Sequence, residues 1–246
     1  MSTLPQPSTD PTATAPRQRI LPLAAVAGPI LFTVAWIVLG FLSTGYTLFD
    51  HTYTHYSPVS QPVSGLGIGT TAPWMNTAFV LSGTLLIIGV LGVFRAIPDR
   101  TSSKRAWSIA LLSAAGVGMI IDGVFTLRFV IPHTLGFLLA AGVPVIGFPL
   151  AGSYLRHHPQ WRAIGAWLQL AGPLTLLLIV AFFATFTPTA DGAEHGIAGL
   201  IERVLATEVL LSFAVLGIHA ATQRPRAMTA AAATPDRRYR MRNRPR

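Results

Sequence analysis

Along the chain, long apolar runs alternate with short polar ones. Six runs stand out, near residues 21–43, 73–94, 106–127, 134–153, 163–186 and 197–220. A hydrocarbon core about 30 Å thick takes about 20 helical residues rising 1.5 Å each, so every run is predicted to cross a membrane as a helix. Segments of about ten residues alternating polar and apolar, the mark of a transmembrane barrel, do not occur, and the helix is the other structure that can span lipid. The expected fold class is an all-α integral membrane bundle of six transmembrane helices. The first run is read as a retained anchor, because it is preceded by polar residues and exceeds the roughly 7–15 residues of a signal-peptide core.

Composition strengthens this picture. Hydrophobic residues make up 51% of the 246 and charged residues only 11%, with a mean hydropathy of +0.53, against roughly 25% charged in soluble domains. The chain has no cysteine, which excludes disulfides, thiolate metal ligands and thiol catalysis. A net charge of +9 would suggest nucleic acid, yet eight of the 18 basic residues lie beyond residue 223. The charge belongs to a tail, so the expected partners are membrane lipids and not nucleic acid. Residues 1–20, rich in Pro, Ser and Thr, and residues 221–246, rich in Ala, Arg and Pro, are predicted to be disordered. The arginine tail suits anionic headgroups, at about 1 kcal/mol per residue near the surface.

The same charges orient the bundle. Arg17 and Arg19 precede the first run; Arg95, Arg100, Lys104 and Arg105 follow the second; Arg156 and Arg162 follow the fourth; the tail follows the sixth. All four groups fall on one side of a six-span topology, while the other side holds Arg128, with Arg203 just inside the last run. The positive-inside rule makes both termini cytoplasmic, the loop 44–72 external and the protein a multi-pass component of the plasma membrane.

That loop contains HTYTHYSPVSQPVSGLGIGTTAPWMN at 51–76. Ser57–Pro58 resembles a helix start, but Pro62 follows within about a turn, so any helix is short. Gly65, Gly67 and Gly69 lack the spacing and the preceding strand of a dinucleotide fingerprint. The expectation is a cap folded over the bundle's mouth, with Ser57, Ser60, Ser64 and Asn76, joined by His133 and His195, as candidate ligand-binding residues.

YSPVSQPVSGLG with PWMN, then DGVF at 122–125, His133 opening an apolar helix, and GLIERV at 199–204 together resemble the prokaryotic membrane family called domain of unknown function 998. The resemblance runs from about residue 21 to 220 and implies six spans and no particular reaction. Where the family pattern has a Thr-Asp pair after GVF and a second loop histidine, this chain has Thr126 followed by Leu127, and His133 alone.

Ionisable groups inside apolar spans are costly and usually face the bundle interior or a cavity. Asp122, His133, Glu202 and Arg203 sit at similar outer depth, and Arg203 is expected to pair with Asp122 or Glu202 in a structural ion network. His195 and Glu202, seven residues apart, share a helix face, whereas Arg203 is turned by about 100°. Glu208 lies near mid-membrane on a face with Ser212 and His219, as a hydrogen-bonded carboxyl or one step of a proton relay. Pro144 and Pro149 among the glycines of the fourth run predict a bent helix.

Three function classes fit these features. The first is binding or movement of a small molecule or lipid headgroup in an outward-facing cavity under residues 51–72, without cofactor, metal or catalysis. The second is a membrane-embedded hydrolase, with His133, His195 and Asp122 or Glu202 as metal ligands. The third is a scaffold for a membrane partner. No H-E-x-x-H or G-x-S-x-G motif supports the second, and neither an inverted repeat nor paired central carboxylates support a secondary transporter. The first class is the expectation carried forward.

Overall fold

A computed structural model describes residues 20–98, 102–186 and 195–223. The expected disordered termini fall almost wholly outside these residues. Six helices are long and apolar enough to cross a membrane: α1 (Leu21–Leu42), α2 (Gly69–Arg95), α3 (Ser103–Val124), α4 (Val130–Leu155), α5 (Pro159–Thr185) and α6 (Ala198–Thr222). The chain is a multi-pass membrane protein of the all-α class. Helices α3, α4 and α5 begin a few residues earlier than the apolar runs suggest. Polar first turns such as Ser103–Lys104–Arg105 join the helix, because backbone hydrogen bonding continues after the side chains leave the hydrocarbon.

Consecutive helices pack side by side, and the ring closes with α6 against α1 while α2 also touches α6. The shared core runs through Phe32, Leu86, Leu112, Phe148, Leu168 and Phe213. On the opposite faces Ile30, Leu81, Ile146, Leu177 and Leu211 are exposed, as suits side chains that meet lipid tails rather than water.

The fourth span departs from regular α-helix just before Pro144. Proline has no N–H to donate, and just before it Val143 N–H reaches back five residues to the Leu138 carbonyl (2.9 Å). Residues Leu138–Gly142 thereby form a π-helical turn, a widening that is frequent at functional sites.

The loop 44–72 is a folded element. A hairpin pairs β1 (Tyr46–Leu48) with β2 (His51–Tyr53), Tyr46 opposite Tyr53. Its two-residue turn places Phe49 and Asp50 at φ 49° and 66°, the left-handed pair of a type I′ turn. A 3₁₀ turn, Val63–Gly67, precedes α2, whose first residues Gly69–Thr71 are themselves a 3₁₀ turn. Ser60, Gln61, Val63, Ser64 and Leu66 are all buried, so this segment packs into the bundle instead of resting on it.

Candidate functional site

The first turns of α6 hold the loop down. Leu200 N–H donates to the Val59 carbonyl (2.8 Å), which satisfies one of the amides left unpaired at a helix start. Val63 N–H donates to Glu202 Oε2 (2.7 Å). Arg203 donates through Nη1 to the carbonyls of Gln61 (3.0 Å) and Gly199 (2.8 Å), and through Nη2 to the Tyr56 hydroxyl. Tyr56 in turn donates to the Pro62 carbonyl (3.1 Å). Burial pushes the Tyr56 phenol well above its usual range, against the opposing pull of Arg203, so the pair is a hydrogen bond between a cation and a neutral phenol. The guanidinium also lies over the rings of Trp36 and Tyr56, at 5.4 and 5.6 Å from their centroids.

The direct contacts of Arg203 are thus with the loop and α1. Adjacent residues on a helix point about 100° apart: Glu202 lines the cavity inside the bundle, while Arg203 turns toward the loop and Trp36 of α1. Among the described residues the hydrogen bonds of Arg203 go to carbonyl and phenol oxygens, and the Asp122 carboxyl lies beside the His133 ring.

Beneath the loop lies a cavity of about 80 Å³. Its roof is Val63 and Ser64, and its deeper walls are apolar, including Phe79, Met119, Leu205 and Val209. Four polar side chains, Ser64, Asp122, His133 and Glu202, gather at the loop-side end. The volume exceeds several-fold the roughly 10–15 Å³ that one water needs by this measure. Phe137 and Ala140 of α4 and Ala206 of α6 form its wall toward the surrounding lipid and are only half-buried.

The polar end consists chiefly of acceptors. His133 Nδ1 lies 2.8 Å from the Phe125 carbonyl; a carbonyl only accepts, so Nδ1 carries the proton and Nε2 is the nitrogen left for another partner. Asp122 Oδ1 stands 3.4 Å from that Nδ1, is buried and has no hydrogen-bond partner. Gly136 makes room for it, since a Cβ there would meet the Asp122 Cγ at 2.8 Å. Among the described residues no lysine or arginine lines the cavity.

The remaining sequence candidates are placed differently. Ser57 is a turn residue whose Oγ accepts from Ser60 N–H (3.3 Å). Ser60 is buried, its Oγ has no hydrogen-bond partner, and it lies off the cavity. Asn76 donates to the Gly67 carbonyl (3.2 Å) and anchors the loop to α2. His195 is exposed ahead of α6 and away from the cavity. His195 thus stands apart from the other members of the hydrolase reading's ligand set, and among the described residues no three His, Cys, Asp or Glu side chains are arranged to hold a metal ion. Sequence reasoning missed Tyr56, Gln61 and the lipid-side wall of Phe137, Ala140 and Ala206. Only the cluster of loop tyrosines, Tyr46, Tyr53 and Tyr56, hinted that the loop had a core of its own.

Glu208 is buried farther along α6, where Thr175 Oγ1 lies 2.8 Å from its Oε2 and Ser212 Oγ 3.4 Å from its Oε1. Trp167 Nε1 donates to Ser212 Oγ (3.2 Å). This ties α5 to α6 through hydrogen bonds at mid-membrane. His219, on the same face, contacts the Gln160 carbonyl (2.8 Å) of α5 at the far end of the helix.

A family model described as "Protein of unknown function (DUF998)" matches residues 26–219. No curated protein and no solved structure matches the chain.

Proposed function

The chain belongs to the domain of unknown function 998 family, and from that premise we propose that it binds a small amphiphile, such as a lipid headgroup with its first methylenes, in the cavity beneath the loop. The observation that carries this reading is the polarity of the chamber: Ser64, Asp122, His133 and Glu202 at one end, and Phe79, Met119, Leu205 and Val209 below. Ligand sites are mostly apolar with a few placed polar groups, and an amphiphile matches both halves at once. The basic residues on the termini and even-numbered loops put the roofed end on the outer side of a plasma membrane, with both termini cytoplasmic.

The test uses dodecanol carrying a diazirine on its fourth carbon, photolysed on the full chain in phosphatidylcholine nanodiscs. Adducts are expected on peptides bearing Met119, Leu205 or Val209, at a yield above that on the lipid-facing Leu177. Ala206→Phe, which fills the chamber from its half-buried wall, should remove the cavity adducts and leave those on Leu177. Labelling confined to lipid-facing positions would overturn the binding reading.

Orientation has its own test. The chain has no native cysteine, and Thr54 and Ser103 are both exposed, so Thr54→Cys should react with an impermeant maleimide on intact cells and Ser103→Cys only after permeabilisation. The reverse pattern would invert the topology.

A second reading, a hydrolase, draws support from one fact: Ser64, His133 and Asp122 line the same cavity. In that case the Ser64 hydroxyl attacks and His133 Nε2 takes its proton. Turnover of a dodecanoyl ester that disappears in Ser64→Ala is the expected signature.

A further inference from the structure

Every polar group at the cavity's closed end can accept a hydrogen bond, and three of them keep an acceptor atom for a further donor. Asp122 is only 6% exposed, yet its Oδ1 has no hydrogen-bond partner. Glu202 gives Oε2 to Val63 N–H, which leaves its other oxygen for the cavity. His133 spends its Nδ1 proton on the Phe125 carbonyl and keeps Nε2. Buried polar groups are nearly always partnered, so an orphaned carboxyl oxygen inside a cavity marks the place of a missing donor. The nearby cation cannot supply it, because Arg203 faces away and is committed to Gln61, Gly199 and Tyr56.

Resting on the binding reading above, we infer that the ligand is a single-chain primary amine or amino alcohol, its ammonium held by Asp122, Glu202 and His133 and its tail leaving between α4 and α6. An ammonium has three N–H donors and no acceptor, which suits three acceptors and two carboxyl groups. A phosphate or carboxylate head would bring further negative charge to Asp122 and Glu202, with no lysine or arginine in the lining to receive it. The chamber of about 80 Å³ takes the head and the first methylenes; a longer tail has to pass the half-buried Phe137, Ala140 and Ala206 into the bilayer. That route suits one chain better than two. Gly136 keeps the Asp122 carboxyl in place on the wall, because any side chain there would collide with it.

The experiment compares three probes carrying the diazirine on the fourth carbon from the head, dodecylamine, dodecanol and dodecyl phosphate, on the full chain in phosphatidylcholine nanodiscs. Each is read as the ratio of adducts at the Met119, Leu205 and Val209 peptides to adducts at Leu177, which cancels differences in membrane partition. The amine ratio is expected to exceed the alcohol ratio by about tenfold or more, the gain typical of a charge-assisted hydrogen bond, with the phosphate lowest. Asp122→Asn should bring the amine ratio down to the alcohol ratio measured on the same variant, and an unchanged melting temperature shows that the variant is folded. Should the variant lose alcohol labelling as well, competition on the unmodified chain decides, dodecylamine displacing the alcohol probe at lower concentration than dodecyl phosphate. Displacement by ethylamine as readily as by dodecylamine would show a site for free amines and overturn the amphiphile assignment. Equal ratios for the three heads, a phosphate preference, or an amine preference untouched by both Asp122→Asn and Glu202→Gln would overturn the head assignment and leave the cavity reading standing. Absence of cavity adducts from every probe would remove both.

Discussion

Arg203→Met is expected to lower the stability of the detergent-purified protein by about 3 kcal/mol or more, since hydrogen bonds to charged groups contribute roughly 1.5–3 kcal/mol each. That corresponds to a melting temperature lower by on the order of ten degrees. The guanidinium joins two carbonyls, a phenol and two aromatic faces, and methionine replaces only its apolar stem. Arg203→Lys should fall between the two, because a point charge cannot reproduce the planar fork. Thermal melting of double mutants identifies the partner. Tyr56→Phe combined with Arg203→Met should cost less than the two single changes summed, as for groups in one network. Asp122→Asn combined with Arg203→Met should be additive within about 0.5 kcal/mol, as for groups without a shared partner. The opposite pattern would restore an Arg203–Asp122 pair and refute the arrangement described above.

Gly199→Val is expected to be comparably severe for a steric reason. A Cβ at position 199 would sit 2.8 Å from both the backbone nitrogen and the carbonyl carbon of Gln61, and backbone cannot swing aside as a side-chain end can. The loop must lift from α6, breaking the Leu200–Val59 and Val63–Glu202 bonds together. Hydrogen–deuterium exchange across 56–67 should accelerate strongly in Gly199→Val while α3 and α5 keep their protection. Unchanged exchange would show that the loop is not seated on this helix.

The spans could be read from the sequence because the bilayer imposes one rule, about 20 apolar residues per crossing, and each apolar run obeys it. The π-helical interruption in α4 has a similarly local reason, the missing N–H of Pro144. The hairpin was not legible. Its turn is Phe49–Asp50, which lacks the Asn-Gly or Asp-Gly pair that ordinarily signals left-handed φ at two successive positions, and what holds it is the burial of Tyr46 and Tyr53 against Ile68.

At the cavity the division is the same. Asp122, His133 and Glu202 stood out because ionisable groups in apolar runs are rare, and they line one chamber. Arg203 stood out too, but its partners are loop carbonyls with no residue signature. Gln61 lies 142 positions away in the chain, and any residue type could present that carbonyl. Among the loop serines nothing in the sequence separates Ser64, which lines the cavity, from Ser57 and Ser60, which do not; that depends on the 3₁₀ turn at Val63–Gly67.

The central claim is that residues 56–67 form a fixed roof over a chamber in the membrane. Hydrogen–deuterium exchange of the unmodified chain in nanodiscs measures this most directly, at the amides of Val63 and Leu200, whose acceptors are Glu202 and Val59. Protection of both amides approaching that of the neighbouring spans is expected, rising further when dodecylamine is added. Exchange at the rate of an unstructured peptide, with or without the amine, would contradict the roof and the cavity beneath it.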